Sequence, residues 1–370
     1  MRSFKTITNN NKMCICKITS KCVDANGTIS YFASMSNGNT CIILEARAYT
    51  PENYTGFVYR IYDDNQALDV GDIVRFEETG HGTVIYENKS FSNAIFLTEK
   101  CNCRCIMCPQ PPKSIDNFDH INLSRNTLSL LDSETEVIGI TGGEPTMVWE
   151  DLMEVLTICR TKLPKTSIQL LTNARVLKDF GKTQELSIAG GKNLIVCIPV
   201  YADVYSIHDK IVSVKGAFWE TINGIYNLER LNIKIELRTV ISKLNYSRLT
   251  NWSEFIYRNL PFVSHIALMG LEPTGLALKN IDEVWIDPLE YMPMLEEATK
   301  LLYQRNMNVS IYNHQLCTLP KKLWGFSKKS ISEWKNIYLI ECIACNKKNE
   351  CGGFFKSSEK IRGRNISPFI

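Results

Sequence analysis

The chain has 370 residues, 44% of them hydrophobic and 22% charged, with a net charge of +3. That is the composition of an ordinary globular protein, long enough for a main domain with additions. The near-neutral balance makes no electrostatic case for nucleic acid or a membrane surface, and no apolar run reaches the roughly 18 residues that a membrane span requires. The basic start, 1–12, lacks the apolar core of an export signal, so the expected compartment is the cytoplasm. Thiols stay reduced there, and the 14 cysteines read as metal ligands rather than disulfides. Four crowd into 101–108 and four more into 317–351. Cys14, Cys16, Cys22, Cys41, Cys159 and Cys197 are scattered, and are expected to be buried as small apolar side chains.

In chain order, residues 1–93 carry short strand-like runs at 12–22, 28–34, 40–49 and 55–62, and a strand–turn–strand pattern over 67–88. Asn-Gly pairs at 26–27 and 37–38 mark turns between them. This predicts a small β-rich domain of its own. From residue 94 the rhythm becomes strand then helix. Strands are expected at 94–99, 136–142, 167–173, 193–200, 233–241 and 264–270, with amphipathic runs at 149–163, 217–231 and 289–306. The strands are short and read as apolar on both faces, as buried parallel strands do. Six such units predict a parallel α/β sheet. Right-handed crossovers curl it into a barrel or a doubly wound sheet, and the pattern does not choose between them.

The first cysteine cluster, Cys101, Cys105 and Cys108, has the spacing C-x3-C-x2-C directly after the first predicted strand. A loop there lies at the carboxyl end of the sheet, where α/β enzymes build their sites. Thiolates are natural ligands of iron–sulfur clusters, and three ligands on a four-iron cluster leave one iron open. The same logic separates catalytic from structural zinc. The competing possibility is zinc with Cys103 as fourth ligand, but C-x-C-x-C-x2-C is not a zinc-finger spacing, and Cys103 reads as a bystander. After the second strand comes Gly142-Gly143-Glu144-Pro145. Two glycines let backbone approach a ligand closely, a carboxylate can accept hydrogen bonds from an ammonium group, and Pro145 stiffens the exit. The tail holds Cys317, Cys342, Cys345 and Cys351, the last three spaced C-x2-C-x5-C, ahead of Gly352-Gly353. Four cysteines suffice for one fully ligated [4Fe–4S] cluster; a structural zinc knuckle is the alternative.

Together the cysteine loop and the glycine turn resemble the radical S-adenosylmethionine (SAM) superfamily. The resemblance implies an α/β fold: a partial (β/α)6 barrel over 94–310, behind a β-rich domain at 1–93. It implies that Cys101, Cys105 and Cys108 hold a [4Fe–4S] cluster whose unligated iron takes the amino and carboxylate groups of SAM, with Gly142, Gly143, Glu144 and Pro145 cradling SAM. Thr172-Asn173 resembles the T-N-G that follows the third strand in many members, with Ala174 in place of glycine; a plain strand end is the other reading. Arg238 stands where some members place a polar SAM contact; a paired core arginine is the other reading. The fourth strand departs from the family: Cys197-Ile198-Pro199-Val200-Tyr201 replaces the common S-x-D, which leaves the usual ribose contact without its residues. His208-Asp209 resembles the H-D of peptide-modifying members, with a helix cap or loop contact as the alternative. The C-terminal cysteines resemble SPASM or twitch extensions, which implies one auxiliary [4Fe–4S] cluster within 311–370.

Several stretches are similar to one subfamily, the His-Xaa-Ser system radical SAM maturases of the HxsC type. They are 97–102, 108–112, Gly139 to Thr146, Gly216-Ala217-Phe218, and 330–336 leading into Cys351-Gly352-Gly353-Phe354-Phe355, with a fainter echo at Gly71-Asp72. This implies reductive cleavage of SAM to a 5′-deoxyadenosyl radical, fed by an external electron donor, to modify a peptide with His-Xaa-Ser repeats beside a partner radical SAM protein. A radical SAM enzyme of cofactor or small-molecule biosynthesis is the alternative, and a non-catalytic zinc-binding scaffold is the alternative of another class. The β-rich domain then either binds the peptide or caps one barrel opening.

Overall fold

The computed structural model describes residues 2–8, 13–23, 28–45, 50, 54–62, 68–79, 81–113, 118–329, 337–359 and 361–370. The expected turn at 26–27 and the 330–336 stretch lie outside these residues.

The first seven strands are β1 (Ser3–Thr8), β2 (Cys14–Val23), β3 (Ile29–Met35), β4 (Thr40–Glu45), β5 (Phe57–Ile61), β6 (Ile73–Phe76) and β7 (His81–Tyr86). They close into a barrel in the order β1-β5-β4-β3-β2-β6-β7. Only β4 and β5 pair in parallel; the other neighbours are antiparallel. Period-2 alternation builds the interior: on β3, Tyr31, Ala33 and Met35 are buried. They meet Phe4, Ile18, Ile43 and Phe76 in one apolar core, where Tyr59 stacks on Phe76 with centroids 3.8 Å apart. Among the described residues each barrel strand therefore has a partner on both sides. Cys14, Cys16 and Cys41 are buried as expected, but Cys22 is exposed. The last residues of β2, Thr19 to Val23, are all exposed, so Cys22 has no core to enter.

The second sheet has seven strands in the order β14-β13-β12-β11-β10-β9-β8: β8 (Ala94–Phe96), β9 (Val137–Thr141), β10 (Ser167–Leu171), β11 (Leu194–Pro199), β12 (Lys234–Ile241), β13 (His265–Gly270) and β14 (Val309–Tyr312). Every neighbouring pair is parallel. Its helices are α1 (His120–Leu130), α2 (Trp149–Lys162), α3 (Phe180–Gly190), α4 (Tyr205–Val212), α5 (Ala217–Arg230), α6 (Leu249–Asn259), α7 (Gly275–Lys279), α8 (Ile281–Val284) and α9 (Pro288–Gln304). The sequence reading expected six strands. The seventh, β14, has only four residues, too few for alternation to stand out after a long helix.

The two faces of this sheet differ, where the sequence suggested both were apolar. Ile138, Ile140, Ile168, Leu170, Ile235, Leu237 and Ile241 point into the main core with the helices. The intervening positions include Gln169, Glu236, Arg238, His265 and Ser310. Isolated polar residues inside apolar runs carry that second face, and sequence periodicity over five residues dilutes them.

The barrel and the sheet share one core. Ile15, Ile73 and Tyr86 join the main apolar cluster, the Tyr86 hydroxyl lies 3.3 Å from Thr135 Oγ1, and Lys17 pairs with Asp132. No helix among the described residues is long and apolar enough to cross a membrane.

Candidate metal and cofactor site

The loop that leaves β8 carries Cys101, Cys105 and Cys108, all three partly exposed free thiols. Hydrogen bonds hold its backbone on two sides. Arg104 N donates to Val212 O at 3.2 Å and Ile106 N to Ile211 O at 2.9 Å, which fastens it to the end of α4. Leu276 N donates to Cys108 O at 2.8 Å, and Asn280 Nδ2 to Ile106 O at 2.8 Å, which fastens it to α7 and α8. Met107 is buried against Ile211, Ala277 and Val284. The cysteines therefore sit on a moored loop.

The glycine turn is packed onto this loop. Gly143 N donates to Thr98 O at 2.7 Å and Glu144 N to Lys100 O at 2.8 Å. A Cβ on Gly143 would fall 2.3 Å from Lys100 O, and one on Gly142 2.7 Å from Thr98 O. Both glycines are required by this close approach of two backbones, whatever ligand they face. Glu144 is 1% exposed. Its Oε1 accepts from Thr146 N at 3.0 Å, Thr146 Oγ1 at 2.8 Å and Thr172 Oγ1 at 2.6 Å; its Oε2 accepts from Asn173 N at 2.7 Å. Burial raises its pKa against the pull of these donors. Its first task is internal: it ties the end of β9 to the end of β10. Only Oε2, with a single donor, keeps room for another. Pro145 is buried and opens a short 3-10 turn over Pro145–Val148.

Thr172 and Asn173 extend the tie to the cysteine loop. Asn173 Nδ2 donates to Asn102 Oδ1 at 2.6 Å and approaches Cys103 Sγ at 3.6 Å. Arg175, which the sequence reading passed over, donates to Asn102 O at 2.8 Å and approaches Cys103 Sγ at 3.5 Å, while Glu220 holds its Nε at 2.7 Å. Ala174 has φ of 58°. The turn thus needs the left-handed conformation that glycine supplies freely and that alanine adopts at a cost of about 1 kcal/mol.

The thiols differ in character. The neighbouring Cys103 thiol and then burial push Cys101 up; burial pushes Cys105 up to about 12 and raises Cys108. Cys103 runs the other way: a hydrogen bond from Cys101 and the Arg175 guanidinium bring it down to about 7. Cys103 is 4% exposed, and its sulfur is engaged by Arg175 and Asn173. Half-buried thiols that resist ionisation become good ligands once a cation compensates their charge, with release of protons.

Tyr201, just past β11, packs against both the Met107 cluster and the Cys101–Cys105 cluster. Its backbone N donates to His208 Nδ1 at 3.2 Å, which puts the His208 proton on Nε2. His208 is 2% exposed rather than on the surface, and burial lowers its pKa to about 4. Asp209 caps α5, accepting from Gly216 N at 2.6 Å and Phe218 N at 2.8 Å. The sequence offered the cap as the plainer reading of Asp209. The sequence named Tyr201 only within the run that replaces S-x-D; its packing against the cysteine loop forms between distant parts of the chain.

Arg238 faces the polar side of the second sheet. Its Nε donates to Glu236 Oε1 at 2.6 Å; Glu236 Oε2 meets His265 Nδ1 at 2.8 Å, and His265 Nε2 meets Ser310 Oγ at 2.9 Å. Burial raises the Glu236 pKa, but the His265 hydrogen bond and the Arg238 charge outweigh it and hold the group at about 2. Arg238 is thus a paired arginine, linked across three strands.

In the tail, Cys317, Cys342, Cys345 and Cys351 all line one pocket. Leu316 N and Gly353 N each donate to Cys351 Sγ at 3.5 Å. Among the described residues, no three or more His, Cys, Asp or Glu side chains close up into a site for a single metal ion.

No family model matches the chain. It is 29% identical over 169 residues to a GTP 3',8-cyclase of Campylobacter jejuni, covering 44% of this chain and 50% of the cyclase. It is 29% identical over 266 residues to the Fe-coproporphyrin III synthase of Methanosarcina barkeri, covering 69% of this chain and 63% of the synthase. An uncharacterised protein of Methanocaldococcus jannaschii is 25% identical over 265 residues, 67% of this chain and 85% of that protein. The chain thus spans about half to two thirds of the curated relatives that carry an activity in their names. These likenesses support the radical SAM superfamily. Among solved structures, Streptococcus suis SuiB bound to S-adenosylmethionine has a TM-score of 0.48 at 17% identity, over 60% of this chain and 51% of SuiB.

Proposed function

We propose that this chain is a radical SAM enzyme that holds a [4Fe–4S] cluster on Cys101, Cys105 and Cys108 and modifies a peptide. The observation that carries the reading is the division of labour in one loop. Three thiols are partly exposed, and the fourth, Cys103, is buried against Arg175 and Asn173. That donor set fits a four-iron cluster with one iron left open, and not a four-cysteine zinc site.

When bound, the cluster supplies the single electron that cleaves SAM into methionine and a carbon radical able to abstract hydrogen. The chain's own residues do the rest. The Gly142–Glu144 turn lies against the loop's backbone and presents Glu144 Oε2 to an ammonium group. Thr172 and Asn173 hold that carboxylate and the loop in register. Tyr201 and Met107 cover the loop's apolar flank and exclude water, which a radical reaction requires.

For Cys317, Cys342, Cys345 and Cys351 we propose one auxiliary [4Fe–4S] cluster. All four cysteines line one pocket, and the resemblance of this region to SPASM and twitch extensions supports an iron–sulfur cluster over a zinc knuckle. The substrate proposal, a peptide with His-Xaa-Ser repeats handled in the cytoplasm beside a partner radical SAM protein, is supported by the resemblance at 97–102, 108–112, Gly139 to Thr146 and Cys351 to Phe355. The division of the chain at 93 and 310 belongs to the same proposal. A second reading, cofactor or small-molecule synthesis, is favoured by the likeness to the cyclase and the synthase.

The test is anaerobic. Reconstituted protein with SAM and dithionite should release 5′-deoxyadenosine, and Cys105→Ala should release none. An intact cluster by spectroscopy with no 5′-deoxyadenosine would refute the activity. A mass change confined to a His-Xaa-Ser peptide separates the two substrate readings.

A further inference from the structure

The C-terminal cysteines share their pocket with a stretch of chain far along the sequence from Cys317. Ile366, Ser367, Pro368 and Phe369 form one wall of it. One backbone N–H group of this stretch is spent on sulfur, with Phe369 N donating to Cys345 Sγ at 3.4 Å, and the Ser367 backbone beside Cys317 works against the upward push that burial gives that thiol. The Phe369 ring meets Trp324 edge-on with centroids 5.1 Å apart. Trp324 is itself fixed, its indole N–H shared between Leu316 O and Leu319 O at 3.1 Å each.

The stretch is anchored at both ends. Arg364 Nε pairs with Asp287 Oδ2 at 3.0 Å and Arg364 Nη2 with Glu290 Oε1 at 3.0 Å, at the start of α9. Asn346 N donates to Phe369 O at 2.7 Å, one residue past Cys345. A dangling tail would satisfy its backbone with water. This one turns its backbone toward thiols, which are weak acceptors when protonated and strong ones when charged.

We infer that residues 364–369 are a working part of the auxiliary site: their backbone stabilises charge on the sulfurs of Cys317 and Cys345, and Phe369 with Trp324 shuts one side of the pocket to water. This rests on the reading of the four cysteines as iron ligands. Hydrogen bonds to cluster sulfurs and solvent exposure are two of the factors that set a cluster's potential. The donors favour the more negative, reduced state and raise the potential. Dryness disfavours that state and lowers it. The two contributions of this segment therefore have opposite signs and can be separated by substitution.

The test uses the full chain with Cys101→Ala, Cys105→Ala and Cys108→Ala, so that any remaining cluster belongs to the tail. Iron and sulfide are counted after anaerobic reconstitution. The potential is titrated by electron paramagnetic resonance, and iron loss to a chelator is timed. Phe369→Ala, which keeps the N–H and removes the ring, should lose iron about tenfold faster and shift the potential upward. Phe369→Trp should restore the slow rate. Ser367→Pro, which removes the N–H, should shift the potential downward. Phe369→Ala and Ser367→Pro proteins that match their parent in rate and potential overturn the inference while leaving the iron reading intact. A parent with no iron–sulfur chromophore overturns the iron reading itself. Should Ser367→Pro fail to fold, Phe369→Ala decides alone by the same two readouts.

Discussion

Glu144 shows how one residue serves structure before chemistry. Its carboxylate takes four donors from Thr146, Thr172 and Asn173 while almost fully buried. Glu144→Gln would turn an amide N–H2 toward groups that are themselves donors. The expected cost is about 2–3 kcal/mol, from lost charge-assisted bonds and unsatisfied donors, read as a lower urea midpoint. Iron uptake should fall with it, because the same network positions Asn102. A variant as stable as wild type would mean that the carboxylate is not the tie the geometry makes it. The motif pointed to Glu144 from sequence, but only as a ligand contact. Its partners lie 2 and about 28 residues away, and a linear pattern does not reveal the second set.

At the scale of elements, the decisive pieces are short turns between strand and helix. α4 and α5 are separated by four residues, and Asp209 near the middle of α4 caps the start of α5. Since Arg104 and Ile106 bond to the end of α4, that cap also steadies the cysteine loop. Asp209→Ala should cost about 1–2 kcal/mol and lower the melting temperature, with the same spectrum for any cluster that forms. The strands from β8 to β13 were legible because short runs rich in apolar residues recur between turn signals. The strand β14 was not, and neither was the polar face built from Glu236, Arg238, His265 and Ser310. Those four residues come from three strands, and only the parallel register brings them into one chain of hydrogen bonds.

For the whole molecule, the closed β barrel and the parallel sheet fold around a shared core, so the stability of one draws on the other. Two buried histidines couple that stability to pH. Burial lowers His208 and His314 to about 4 from an ordinary 6.5. Between those values the unfolded chain binds protons that the folded chain refuses, so stability falls as pH drops from about 6.5 towards 4. Each group contributes up to roughly 3 kcal/mol to that loss. Glu236, held at about 2, stays ionised throughout the window. Urea unfolding at pH 7 and pH 4.5 should show the drop, and His314→Gln should flatten it. An unchanged pH slope in that variant would remove His314 from the account.

The sequence alone determined most of the strands, the longer helices and the chemistry-bearing residue types. Strand and helix patterns are local, and the spacing of Cys101, Cys105 and Cys108 and of Gly142 to Glu144 is written in consecutive residues. Tertiary structure decided which groups meet: Tyr201 beside the cysteine loop, Arg175 on Cys103, Glu144 under Thr172 and Asn173, and Phe369 beside Cys345. Those contacts join residues far apart in the chain, and their existence depends on strand order and loop closure, which no short window of sequence contains.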